Sequence, residues 1–274
     1  MVYDVVSREN DITALDTAAN LTELGADSPS AIIVPDASHI TEIRIGVSAD
    51  LTADTLLGFS TGLHMFGSCG DQWLAGPVGA VGGTATTSAG LKISKPTVIF
   101  CNIPVKKGEQ INLQGFMHGE DVGSLRMMVT VVFDGPIAGP CSRFDYREQD
   151  LASANTPVTL NTRGGVAEGD FKVSNETIKE VYVGAGNKPV AGPLAATTHF
   201  KLSGNGLRVA GNYDFQGNGL ATQDDITASG ALNIEDLVKY ATEIGVKEGQ
   251  VRVQAQEVED DVGTPYAMCM LGFA

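Results

Sequence analysis

Apolar and polar residues alternate through much of this chain, and the alternation recurs about half a chain apart. In ITEIRIGV (Ile40–Val47), Ile43, Ile45 and Val47 fall on one face and Glu42 and Arg44 on the other. A two-residue period of this kind predicts a half-buried strand. FKVSNETIKEVYVG (Phe171–Gly184) repeats the arrangement, with Ile178, Glu180, Val181, Val183 and Gly184 on Ile40, Glu42, Ile43, Ile45 and Gly46. A longer match follows. Gln110–Phe133 and Gln250–Phe273 align without a gap, with seven of 24 positions identical: Gln110/Gln250, Gln114/Gln254, Asp121/Asp261, Val122/Val262, Gly123/Gly263, Met128/Met268 and Phe133/Phe273. Just upstream, IPVKKG (Ile103–Gly108) matches IGVKEG (Ile244–Gly249).

The matched parts read as strands and turns. After each VK-x-G turn comes an alternating strand (INLQGFM, VRVQAQEV), then an acidic turn (HGEDVGS, EDDVGTP), then an apolar strand (LRMMVTVVF, YAMCMLGF). Strands of about ten residues separated by turn signals predict antiparallel β-sandwich construction. A period near 140 residues is that of a duplicated domain rather than a solenoid. The expected organisation is an arm at 1–30, a first domain at 31–134, a linker at 135–168 and a second domain at 169–274. Each domain is long enough to bury a core.

The unmatched parts differ in kind. Ala75–Gly90 and Gly204–Gly219 are Gly-rich and read as surface loops. Neither carries the GxxxxGK[ST] pattern of a phosphate cradle. Asn233–Thr242 (NIEDLVKYAT) predicts a short helix in the second domain, with an Asn cap, acids in the first turn and Ile234, Leu237, Val238 and Ala241 at helical spacing.

Composition narrows the chemistry. The net charge is −15, from 33 acidic and 18 basic residues, whereas a nucleic-acid grip needs a basic face. Cys69, Cys101, Cys141 and Cys269 form no CxxC or metal-type cluster. Cys101 and Cys269 lie in apolar runs, which points to reduced, buried thiols. The first residues lack the basic and apolar regions of a secretory signal. Among His39, His64, His118 and His199, no two lie within five residues of each other, and neither HxH nor HExxH occurs. No SxxK motif occurs. No catalytic residues are assigned, and the expectation is a protein that is not an enzyme. The metal candidates are the turn carboxylates Glu120, Asp121, Glu259, Asp260 and Asp261. These would take Ca²⁺ through oxygen ligands; the bland alternative is a solvated turn, with Asp bonding its own backbone and Gly taking a positive φ.

Two tandem sandwiches ending in the same strand–turn–strand pattern, with Gly-rich insertions and an N-terminal arm, resemble the double jelly-roll major capsid proteins of tailless icosahedral double-stranded DNA viruses. The length is that of the small, corticovirus-like members. The resemblance is one of architecture over residues 31–273, and no signature motif carries it. It implies an all-β fold of two eight-stranded antiparallel jelly rolls. It also implies a homotrimer forming a pseudo-hexameric capsomer, assembly in the host cytoplasm and residence in the virion. Implied partners are further copies of the chain, penton or spike proteins, and an internal membrane or its proteins, with no direct contact to nucleic acid. Two other readings fit the same pattern: a surface-layer or tube-forming sandwich protein, and a tandem carbohydrate-binding or glycan-active module. A single Trp (Trp73) is sparse for a sugar platform.

Overall fold

The computed structural model describes residues 4–23, 25, 31–50, 56–82, 91–93, 96–120, 124–135, 138–151, 156–187, 194–211, 213–222, 232–235, 237–258 and 265–274. Among these every regular element is a strand. The first ten are β1 (Asp4–Ile12), β2 (Ala19–Asn20), β3 (Ile32–Ile33), β4 (His39–Asp50), β5 (Leu56–Gly67), β6 (Gln72–Gly82), β7 (Leu91–Ile93), β8 (Thr97–Pro104), β9 (Gln110–Glu120) and β10 (Ser124–Phe133). One sheet runs β1-β10-β4, with β7 and β8 both on the far side of β4; the other runs β6-β5-β9, with β2 and β3 both on β9.

The second set is β11 (Arg143–Asp150), β12 (Val158–Thr159), β13 (Thr162–Arg163), β14 (Val166–Ala167), β15 (Phe171–Val173), β16 (Thr177–Asn187), β17 (Leu194–Ser203), β18 (Tyr213–Thr222), β19 (Leu232–Glu235), β20 (Val238–Gly245), β21 (Gly249–Val258) and β22 (Pro265–Phe273). Here one sheet runs β14-β13-β11-β22-β16-β20 and the other β18-β17-β21, with β12 and β15 on β21. Counting split strands as one position, both sets give the order 1-8-3-6 in one sheet and 2-7-4-5 in the other. This is the jelly-roll order, and the chain contains it twice.

The two sandwiches stack. The sheet of β5, β6 and β9 packs its outer face on the sheet of β11, β16 and β22, so one core cluster takes in Phe144, Tyr146, Tyr182, Met268 and Met270 from the second half. The stacking explains a difference between matched strands. In β10, Leu125, Met127, Val129, Val131 and Phe133 point inward, while Arg126 is exposed and Met128 is 44% exposed. In β22 both faces are covered: Ala267, Cys269, Leu271 and Phe273 enter the second core, and Met268 and Met270 enter the seam. A strand buried on both sides reads as a continuous apolar run, which is what YAMCMLGF is.

Four expectations are corrected. The described residues of Asn233–Thr242 form no helix: 233–235 lie in β19, which extends the first sandwich by pairing with β6, and 238–242 in β20, which pairs with β16. Burial along β20 alternates, so tertiary pairing overrides the helical spacing of a few apolar residues. Residues 4–12 are an integral strand rather than part of an arm, paired along their length with β10 and ending in the fully buried Ile12. The linker supplies β11, whose Phe144 and Tyr146 are buried on the seam and whose backbone pairs with β22. The Gly-rich stretches are partly strand, in β6 and β18.

Candidate functional site at the seam between the sandwiches

Most of the turn carboxylates expected to bind Ca²⁺ lie outside the described residues: Asp121, Glu259, Asp260 and Asp261. Glu120 closes β9, and only its backbone is described.

A different charged cluster sits at the seam. His118, on β9 opposite Ser60 of β5, projects toward the second sandwich. Its Nδ1 donates to Asp16 Oδ1 at 2.6 Å and its Nε2 to Asp150 Oδ1 at 2.8 Å. Asp16 comes from the segment after β1 and Asp150 from the end of β11, so one ring ties together three parts of the chain. Beside it, Glu148 is fully enclosed. Its Oε2 accepts the Ser60 hydroxyl at 3.2 Å and its Oε1 accepts the Gly164 N–H at 3.1 Å. The Tyr266 ring meets the His118 ring edge-on, with centroids 5.5 Å apart.

The electrostatics follow from this enclosure. Burial disfavours a charged imidazole, but the hydrogen bonds to Asp150 and Asp16, reinforced by the nearby Glu148 charge, outweigh it and lift the His118 pKa to about 10. With carboxylates on both nitrogens the ring is an imidazolium at neutral pH. Burial raises the Glu148 carboxyl to about 7, against the opposing pull of His118. Asp16, His118 and Glu148 each place one ligand atom within 4.8 Å of the others. A metal would need His118 to give up a proton that two carboxylates hold, so the arrangement serves first as an ion-pair clamp.

Further along the seam, Trp73 has both faces covered. His64 stacks on one side with centroids 3.9 Å apart, and the Arg163 guanidinium lies 4.2 Å from the ring centroid. Asp71 accepts from His64 Nε2 at 2.5 Å and from Trp73 Nε1 at 3.1 Å. Nearer the β20 edge, the buried Glu180 accepts the Tyr182 hydroxyl at 2.7 Å and pairs with Lys239 at 2.5 Å. On the outer face of the last sheet, His199, Lys201, Asp214, Gln254 and Gln256 line an open hollow of about 420 Å³.

Sequence reasoning missed the clamp because its members are far apart in the chain. The available signal was FDYRE within the supposed linker, where Phe144, Tyr146 and Glu148 alternate with Asp145 and Arg147 as in a strand.

No protein-family model matches the chain, and no curated protein matches it. Among solved structures, the N-terminal CBM22-1-CBM22-2 tandem domain of Paenibacillus barcinonensis Xyn10C aligns at 9% identity and a TM-score of 0.22, covering 98% of this chain and 93% of that one. A score that low carries no argument about fold or function.

Proposed function

We propose that this chain is a building protein, a double jelly-roll major capsid protein that assembles as trimers into an icosahedral shell. One observation carries the reading: the same eight-strand order occurs twice and the two copies stack face to face into a four-layer block. Such a block offers two similar wall elements in one chain, and closed symmetry repeats their contacts at little genetic cost. The pairing of β19 with β6 supports it, because a strand crossing between sandwiches makes the block one rigid unit. Trp73 argues in the same direction: a ring covered by His64 and Arg163 offers no face to a sugar. The chain then acts in the virion after assembly in the host cytoplasm, and its main partner is itself.

Sedimentation of the purified chain at low micromolar concentration tests the reading. A stable trimer is expected, and monomer alone would sink it. Electron microscopy of the source separates closed shells from the tubes or sheets of a surface-layer protein.

A further inference from the structure

We propose that the two outer faces of the block are the halves of a second seam, so that copies of the chain join head to tail. The β1-β10-β4 face of one copy receives the β18-β17-β21 face of the next. The pairing stands on the repeat alone and holds for shells and tubes alike.

The residues that fill the seam recur on the outside. Arg8–Ile12 (RENDI), in β1, matches Arg147–Leu151 (REQDL), at the end of β11. On the covered face, Met268 lies between Glu148 on β11 and Gly184 on β16. On the open face, Met128 lies between Glu9 on β1 and Gly46 on β4. Val5, opposite Val132, holds the place of Phe144, opposite Gly272. Phe144 and Met268 are fully buried at the seam, whereas Val5 is 46% and Met128 44% exposed. The same Glu–Met–Gly row thus occurs twice, covered once and open once. Val98 and Phe100 of β8, half-buried, extend the apolar part of the open face beyond β4.

The outer face of the last sheet keeps the other half of the pattern. In the seam, Gln114 on β9 stands opposite His64 on β5; outside, Gln254 on β21 stands opposite Lys201 on β17. Gln114/Gln254 and Met128/Met268 are therefore identities shared by a covered and an open face. Around Gln254 the hollow presents the exposed His199 and Lys201, with Asp214 and Gln256. Charge fits the same partner. In the seam, Glu148 and Asp150 accept from Ser60 and His118 at 3.2 and 2.8 Å. On the open face Arg126 pairs with Asp11, which leaves Glu9, beside Met128, for a donor from outside. Lys201 and His199 of a second copy supply such donors, and the hollow takes the protruding methionine. The two faces differ, so the joint is heterologous and either closes into a ring or runs on as a filament.

The test is sedimentation of the full chain and of two variants. Met128→Glu blocks one face, and the double variant His199→Glu, Lys201→Glu blocks the other. Each alone should associate at least about tenfold more weakly than the native chain, since like charges then meet at every joint. Mixed in equal amounts at higher concentration, the two should form a one-to-one dimer, because one intact face of each kind remains. Undiminished association of either variant, no dimer in the mixture, or a native chain that stays monomeric overturns the proposal. If a variant does not fold, hydrogen exchange of the native assembly decides. Protection gained on assembly at 5–9, 126–130, 199–201 and 254–256 supports the joint, and protection gained elsewhere alone overturns it. A native trimer joined through other faces would overturn this joint and leave the capsid reading standing; tubes joined through these faces would do the reverse.

Discussion

The α-carbon of Gly67 lies so close to the Gln110 carbonyl that a Cβ would sit 2.3 Å from the oxygen, and Gly204 stands to Gln250 in the same way at 2.4 Å. Both glycines have positive φ, 113° and 128°, where a side chain is strained whatever the space. In both sandwiches the same carbonyl then accepts a backbone N–H at 2.9 Å, from Ser68 and from Gly206. Gln110 and Gln250 thus hold corresponding places in two similar turns, each through its backbone carbonyl. Gly67→Ala and Gly204→Ala should each cost about 1–3 kcal/mol from the backbone alone, with the clash adding to it. Urea unfolding of the two variants measures this, and losses within 0.5 kcal/mol would refute the account.

The seam carries a steric test of its own. A Cβ on Gly62 would lie 2.1 Å from the Tyr146 hydroxyl and 2.5 Å from its Cζ. Tyr146 is fully buried, so it has nowhere to swing without parting the sandwiches. Gly62→Ala should destabilise the stacked block by about 1–3 kcal/mol. Tyr146→Leu, itself destabilising, should absorb most of that penalty in the double variant. Additive losses in a double-mutant cycle would show that the two residues do not meet.

The duplication could be read from sequence where the two copies do the same job. Ile43, Ile45, Val181 and Val183 face cores in both halves, and alternation reveals them. It failed where the copies differ in surroundings. Tyr266, Met268 and Met270 look like excess hydrophobicity until a second sheet covers them; Arg126, Met128 and Thr130 stand at the matching positions of an outer sheet. The false helix at Asn233–Thr242 had its correction in the repeat itself: its counterpart in the first half is β8, a strand, and Val238, Tyr240, Thr242 and Ile244 already alternate. Gly76 and Gly217, both in stretches read as loops, each lie against a buried threonine of the neighbouring strand, Thr61 and Thr198. No local pattern marks such a packing pair. The clamp was hidden for a related reason, since only the stacking brings Asp16, His118, Glu148 and Asp150 together.

The cysteines behave as the apolar runs imply. All four are free and buried. Burial pushes the Cys69 thiol up to about 12 and drives Cys101, Cys141 and Cys269 higher still; for Cys141 the neighbouring Glu180 charge adds to the effect. The thiolate is the reactive form, so the native protein should be inert. Ellman's reagent at pH 8 should label none of the four within minutes, and all four after unfolding in guanidinium. Rapid labelling of a native thiol would mean that its part of the fold opens readily.

Glu148 gives the sharpest dependence of stability on pH. Unfolded, its carboxyl titrates near 4.5; enclosed between Ser60 and Gly164 it titrates near 7. Between those values the folded chain keeps a proton that the unfolded chain has lost, so stability falls as pH rises from 4.5 to 7 and stays lower above. Glutamine at this position can still accept from Gly164 through its oxygen and donate to the Ser60 hydroxyl through its amide. Glu148→Gln should therefore be close to wild type at pH 4.5 and more stable by roughly 3 kcal/mol at pH 8. Denaturant midpoints at the two pH values check this. A variant equally destabilised at both would mean that Glu148 is held as a paired carboxylate, with the charge on His118 supporting it rather than burial opposing it.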